Sequence, residues 1–250
     1  MKNWEKALYK FLEKYQDKPY FEGALLCGSY ATGNQNKFSD VDVHIVISDS
    51  QNWRERGNKI VDGILIEYFI NPIKQIRNEF KGDLQRGRTS CSNMFSYGKI
   101  LFDKKGCIRQ LQKEACKFFK KPMPKYKVSD LAFDFYGIWD LMDELNSLSK
   151  EKKSIGLIYN RLLENLMILY FKGKQIPKIS LAKIEKILGN PNFAKRYHIQ
   201  KLPDKKFRKL FLDALKTQNL KNIQSLYDFV VKSLGGFDIS KFKLRGKLEN

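Results

Sequence analysis

Two aspartates that lie two positions apart, Asp40 and Asp42, are the residues of this sequence best suited to chemistry. The run Asp40–Ile47, in which β-branched residues predominate, is typical of a strand. Because successive side chains of a strand point to opposite faces, both carboxylates lie on one face, about 7 Å apart. Two ionised carboxylates repel each other, and Mg²⁺ relieves that repulsion while it also binds phosphate oxygens. The pair therefore predicts a metal site that binds a nucleotide.

A third carboxylate, Glu67, is the one charged residue in a mostly apolar stretch from Gly63 to Ile70 that reads as a strand. A carboxylate in such a stretch is costly to bury unless it is paired, protonated or bound to metal. If this strand neighbours the first one, Glu67 joins Asp40 and Asp42 in one acidic site. The alternative is a Glu on an edge strand that faces solvent. The aspartate pair favours the first interpretation.

The other elements of the first half must position these residues. Residues 3–15 carry apolar side chains at helical spacing, which predicts an opening amphipathic helix. The apolar run Gly23–Cys27 predicts a buried strand that ends in a Gly-Ser turn. Residues 51–60 are interpreted as a polar connection or a helix. A further strand is predicted over residues 97–103, followed by a helix to about residue 119.

The second half has a different pattern. Pro122 and Pro124 interrupt a basic stretch, and we predict a domain boundary at residue 122. Beyond it the apolar period is wholly helical, with helices expected near 129–148, 154–171, 180–188, 204–217 and 220–234. The expected fold class is α+β, with an N-terminal mixed-sheet domain over residues 1–122 and an all-α helical bundle over residues 123–250.

The net charge of the chain limits the classes of partner that it attracts. The formal net charge is +20, with 21 Lys+Arg against 14 Asp+Glu in residues 1–120 and 26 against 13 in residues 121–250. A chain this basic attracts nucleic acid, nucleotide phosphates or an anionic protein. Lysine supplies most of the excess, and it is scattered without an Arg-rich run, so a dedicated nucleic-acid surface is the less favoured interpretation.

Targeting and redox signals are also informative. The charged start of the chain is unlike a signal peptide, and no later stretch has the length and apolarity of a membrane span. We therefore expect a cytoplasmic protein with no membrane partner. The cysteines have neither Cys-x-x-Cys spacing nor a neighbouring His pair, so reduced thiols are expected rather than a zinc site; they are Cys27, Cys91, Cys107 and Cys116.

The motifs Gly28-Ser29-x-x-x-Gly33 and Ser39-Asp40-x-Asp42, followed by a lone Glu67 in a later strand, form an ordered set. This set resembles the nucleotidyltransferase superfamily, which includes polymerase β and the antibiotic adenylyltransferases. The resemblance covers about residues 22–70. The all-helical second half is similar in plan to the helical domain of the aminoglycoside-type adenylyltransferases, and that second similarity is architectural.

The resemblance implies roles for individual residues. Glu67 would either complete the second metal site or take the proton of the attacking hydroxyl as general base, and both roles stay open. Gly28 would allow close approach of a phosphate. The implied nucleotide-binding residues are Gly28, Ser29 and Ser39, and the implied catalytic residues and ligands of two Mg²⁺ ions are Asp40, Asp42 and Glu67.

The implied reaction is an in-line displacement at the α-phosphorus of a nucleoside triphosphate, with ATP expected. It transfers NMP to a hydroxyl of a small molecule, an antibiotic being one candidate, and releases pyrophosphate. A polycationic aminoglycoside fits a chain of charge +20 only if the cleft is locally acidic. The alternatives are an acceptor hydroxyl on RNA or on a partner protein, and a nucleotide-binding module without turnover. Formation of a homodimer through helical faces also stays an open alternative.

Overall fold

This computed structural model describes residues 2–243 of the chain. The described residues contain five β-strands and eleven α-helices. The strands are β1 (Phe21–Leu26), β2 (Val41–Ile47), β3 (Glu55–Val61), β4 (Ile64–Pro72) and β5 (Lys99–Asp103). The helices are α1 (Asn3–Gln16), α2 (Gly28–Thr32), α3 (Ile73–Gln85), α4 (Ser90–Tyr97), α5 (Cys107–Phe119), α6 (Ala132–Lys150), α7 (Gly156–Gly173), α8 (Leu181–Gly189), α9 (Pro191–Arg196), α10 (Lys205–Lys216) and α11 (Leu220–Ser233). The strands precede a wholly helical second half, which confirms the predicted α+β class.

The described chain divides into two compact units. The first unit contains the residues up to Pro122 together with Lys195–Gln200, and the second contains Met123–Ala194 and the residues from Lys201 onward. Within the first unit, the rings of His198 and Tyr97 stack with centroids 3.4 Å apart. The assignment of residues 1–122 and 123–250 as separate domains stays a prediction.

The five strands form one mixed sheet in the order β3-β4-β2-β1-β5. Strands β2 and β4 are parallel, whereas the other neighbouring pairs are antiparallel. In the parallel pair, Asp42 lies opposite Glu67 and His44 lies opposite Phe69. Residues directly opposite each other on neighbouring strands share a face of the sheet. The register therefore places the Asp42 and Glu67 carboxylates on the same face.

The interpretation of residues 51–60 as a polar connection or helix is wrong for residues 55–60, whereas residues 51–54 form a connection. Residues Glu55–Val61 form β3, an edge strand that pairs with β4. The connecting turn is Asp62-Gly63, whose φ values of 47° and 77° are the left-handed values of a type I′ hairpin turn. An exposed edge strand carries polar side chains, so its composition alone does not distinguish it from a loop. The sequence signal for this strand is the Asp-Gly dipeptide between apolar residues, which is typical of a hairpin turn.

The two faces of the sheet bury separate apolar clusters. On one face, β2 packs against α1, and this cluster includes Leu8, Phe11, Leu12, Val41, Val43, Ile45 and Ile47. On the other face, the sheet packs against α3, α4 and α5, and this cluster includes Leu25, Val46, Ile76, Phe80, Phe95, Ile108 and Leu111. Because Asp42 alternates with Val43 along β2, the acidic site belongs to the second face.

Within its described residues, the second unit contains helices and no strand. Helix α7 lies at its centre and contacts α6, α10 and α11. The buried Tyr159 hydroxyl donates a hydrogen bond to the Ala214 carbonyl at 2.7 Å, which links α7 to α10. Lys172 and Asp134 form an ion pair at 2.8 Å between α7 and α6. Among the described residues, no helix has the length and apolarity needed to cross a membrane.

The sheet order predicts a contrast between two isoleucines. Ile45 on the central strand β2 is fully buried, and Ile60 on the edge strand β3 is 69% exposed. We expect Ile45→Ala to lower the free energy of unfolding by about 2–5 kcal/mol, because it leaves a cavity in the core. Ile60→Ala should change it by less than about 0.5 kcal/mol. Urea unfolding followed by circular dichroism measures both, and equal losses would contradict the edge position of β3.

Candidate active site

The structure brings Asp40, Asp42 and Glu67 together. Each residue offers a carboxylate oxygen, and the three oxygens lie within 4.8 Å of one another. Asp40 immediately precedes β2, while Asp42 and Glu67 lie opposite each other on β2 and β4. All three residues are half-buried. A cluster of hard oxygen donors that remains open to solvent fits a divalent cation such as Mg²⁺.

Gly28 lies directly against the Asp42 carboxylate. Its φ of 62° is in the left-handed region, and a Cβ added to it would collide with Asp42 Oδ2. Glycine satisfies both the conformation and the close approach. The N–H of Cys27 also donates a hydrogen bond to the Asp42 carbonyl at 2.8 Å. The turn after β1 and the first carboxylate of β2 therefore form one geometric unit.

The two predicted serine ligands lie on either side of this unit. Ser29 is the second residue of α2 and is half-buried. Ser39 lies in the loop before Asp40, where its Oγ accepts a hydrogen bond from the N–H of Asn36 at 2.9 Å. This bond shapes the loop that leads into the acidic site. The assignment of Ser29 and Ser39 as nucleotide-binding residues stays a prediction.

Arg56 is a site residue that sequence reasoning missed. From β3 it donates to Glu67 Oε1 through Nη2 at 2.6 Å and through Nε at 3.1 Å. Its guanidinium also lies 4.8 Å from the centroid of the Phe69 ring. The Arg56 side chain is 70% exposed and that of Glu67 is 19% exposed. Glu67 is thus an ion-paired residue on an inner strand, and its partner lies in the strand whose conformation was predicted wrongly.

His44 follows Asp42 on the same face of β2 and is buried. Its Nε2 lies 3.0 Å from Nδ2 of Asn71, and its ring stacks on that of Phe69. Burial lowers the pKa of His44 to about 3, so the ring is neutral near neutral pH. A neutral, hydrogen-bonded ring at this position contributes shape and a polar edge to the site, with no positive charge.

Comparison with known proteins agrees with this geometry. Residues 8–88 match the family model described as nucleotidyltransferase domain, a range that contains the Gly28-Ser29 turn and all three carboxylates. None of the curated proteins compared with the chain matches it. Among solved structures, a nucleotidyltransferase-like protein from Exiguobacterium sibiricum 255-15 is similar, with 13% identity, a TM-score of 0.42, and coverage of 92% of this chain and 77% of that chain.

The contact between Gly28 and Asp42 predicts different effects for two glycine substitutions. Gly28→Ala should displace the Asp42 carboxylate and weaken Mn²⁺ binding at least about tenfold. Gly33 also has a left-handed φ, of 70°, but a Cβ there would meet nothing within 4 Å. Gly33→Ala should therefore cost about 1–2 kcal/mol of stability and leave Mn²⁺ affinity unchanged. Calorimetric titration with Mn²⁺ tests this, and equal affinities in the two variants would argue against the contact.

The Arg56–Glu67 pair predicts competition between a guanidinium and a cation. We expect Arg56→Met to bind Mn²⁺ about threefold more tightly without nucleotide, because the carboxylate loses a partly exposed positive partner. Arg54→Met is the matched control, since Arg54 is 63% exposed and pairs with Glu79 instead. The same titration gives both affinities. Weaker binding in Arg56→Met would indicate that Arg56 orients Glu67 for the cation rather than competing with it.

Proposed function

We propose that this protein is a Mg²⁺-dependent nucleotidyltransferase that moves NMP, AMP by preference, from a nucleoside triphosphate to a hydroxyl of a small molecule. One observation carries the proposal: three carboxylates converge within 4.8 Å inside a segment that matches the nucleotidyltransferase domain family. The family match supports NMP transfer in general. The metal, the preferred base and the acceptor class are the parts that we propose.

The donor set supports Mg²⁺ as the cation, while the expectation of two ions follows from the superfamily resemblance. Within residues 2–243, the cluster consists of carboxylates without His or Cys, which is the ligand chemistry of a hard cation. When bound, Mg²⁺ supplies positive charge to the triphosphate and lowers the pKa of the attacking hydroxyl. Asp40 and Asp42 would each hold a cation through a carboxylate oxygen, and Glu67 would either complete this set or accept the hydroxyl proton.

The phosphates would lie beside the Gly28-Ser29 turn. Gly28 directly adjoins the Asp42 carboxylate, so a phosphate bound at this turn would lie next to a cation held by Asp42. Ser29 would donate a hydroxyl hydrogen bond to the same group. Ser39 would act beside them and also hold the loop before Asp40 through its bond with Asn36.

The sheet order supports a direction of approach for the acceptor in the proposed reaction. Strand β2 lies between β1, which leads into the Gly28 turn, and β4, which carries Glu67. In-line displacement requires the entering oxygen and the departing pyrophosphate on opposite sides of the α-phosphorus. With the β- and γ-phosphates at the Gly28 turn, the acceptor hydroxyl enters from the Glu67 side. This argument supports Glu67 as the carboxylate nearest the acceptor.

The proposed reaction predicts that Asp42→Asn lowers pyrophosphate release at least about 100-fold, because a cation ligand loses its negative charge. Asp62→Asn is the matched control: Asp62 is an exposed turn residue paired with Lys10 and should tolerate the change. Each NTP is incubated with Mg²⁺ and a panel of hydroxyl compounds, and released pyrophosphate is quantified.

Equal release by wild type and Asp42→Asn would overturn the assignment of the acidic site. NTP binding by the wild type without release against the whole panel would favour a nucleotide-binding module. Faster turnover of an RNA end than of every small hydroxyl compound would favour a macromolecular acceptor.

A further inference from the structure

A cavity of about 550 Å³ lies beside Glu67, on the sheet face that carries the acidic site. Its walls come from β3 and β4, from α3 and the loop that follows it, and from α4. All of these elements belong to the first unit. A cavity of this volume accommodates a drug-sized molecule. Glu67, the carboxylate on the acceptor side of the proposed in-line reaction, lies in its wall.

Part of the cavity wall is apolar and flat. Phe69 and Met94 line it, and the ring of His44 stacks on that of Phe69 with centroids 5.8 Å apart and an angle of 22° between the planes. Aromatic rings and methionine contribute contact area to a planar or ring-shaped ligand. This wall therefore favours an acceptor with a ring.

The charged groups of the wall are already paired within the protein. Three ion pairs line the cavity: Arg54 with Glu79 at 3.1 Å, Arg56 with Glu67 at 2.6 Å and Arg88 with Asp83 at 2.7 Å. The wall thus lacks the positive excess that a phosphate backbone requires, and a polycation would have to displace arginines. This balance favours an uncharged acceptor.

The cavity also contains a buried polar atom that a ligand would satisfy. His44 is 4% exposed, and within the described part of the chain its Nδ1 is buried without a hydrogen-bond partner. Asn71, which is 9% exposed, holds the other ring nitrogen. Buried polar atoms are normally hydrogen-bonded to protein, water or ligand. A water molecule or a polar atom of a bound molecule would satisfy this atom.

We propose that this cavity binds the acceptor, and that the acceptor is an uncharged, ring-bearing alcohol. The inference rests on the proposed function, because the cavity gains this role from its position beside Glu67. The ring lies against Phe69 and Met94, and the hydroxyl points to the acidic site. Its oxygen bonds to the α-phosphorus as the bond to the bridging oxygen breaks, pyrophosphate leaves, and the proton passes to Glu67 or solvent.

Variants that fill the cavity test this inference. Met94→Trp adds bulk to the apolar wall, and Ser90→Tyr adds bulk from an exposed lining residue that is not needed for folding. Asn93→Trp, on the same helix but outside the described lining, is the matched control. The probes are uncharged ring alcohols, their amine-bearing and carboxylate-bearing analogues, and a short single-stranded RNA.

Ligand-observed NMR measures probe binding without nucleotide, and pyrophosphate release gives the KM of each probe that turns over. Uncharged ring alcohols should bind wild type and Asn93→Trp alike, and lose at least about tenfold in affinity in Met94→Trp and Ser90→Tyr. The affinity for Mg²⁺ and ATP should be the same in all four proteins, since none of the substituted residues belongs to the acidic site or to the Gly28 turn.

The inference is overturned if the ring alcohols bind no protein, if they bind wild type and Met94→Trp equally, or if a charged probe or the RNA binds this cavity more tightly. Each of these results leaves the proposed Mg²⁺-dependent NMP transfer intact as long as ATP binding and the Asp42→Asn effect are observed. Loss of those two observations overturns the proposed function itself, so the two failures are distinguishable.

Discussion

Repulsion among three carboxylates is the constraint on which the rest of this structure depends. Asp40, Asp42 and Glu67 place oxygens within 4.8 Å of one another, an arrangement that persists only if the backbone is rigid and positive charge is near. The parallel pairing of β2 with β4 supplies the rigidity. Arg56 supplies part of the charge from the edge strand. The negative charge that Arg56 does not balance makes the site a strong candidate for binding cations.

The order of the strands converts this cluster into a site with two sides. The Gly28 turn follows β1, Asp40 immediately precedes β2, Asp42 belongs to β2 and Glu67 belongs to β4, so in the proposed reaction phosphate and acceptor would approach from opposite directions. Gly28 is central to the arrangement because its backbone adjoins the Asp42 carboxylate and leaves no room for a side chain. A turn suited to phosphate and a carboxylate suited to metal are therefore held at a fixed separation.

Overall charge is a poor guide to the acceptor of this protein. The chain carries a formal net charge of +20, which by itself favours anionic partners. The cavity beside Glu67 has a different local balance, with each of its arginines already paired to a carboxylate. Because interactions between exposed charges are screened within about 10 Å, the local balance decides what binds there. A basic surface and an uncharged acceptor are compatible.

The sequence by itself determined the α+β class and identified all three carboxylates as candidate site residues, because strand alternation, helical period and Asp-x-Asp spacing are local properties of the chain. It also predicted that Glu67 is paired, protonated or bound to metal. Only the tertiary structure decided that Arg56 is the partner of Glu67, since the pair depends on a hairpin that places β3 beside β4. The cavity was likewise decided by tertiary packing: the buried Asp83 accepts hydrogen bonds from Arg88 and from the N–H of Cys91, both at 2.7 Å, and so fixes the loop between α3 and α4. Contacts between segments distant in sequence have no local signal, because they arise only when burial and pairing are satisfied together.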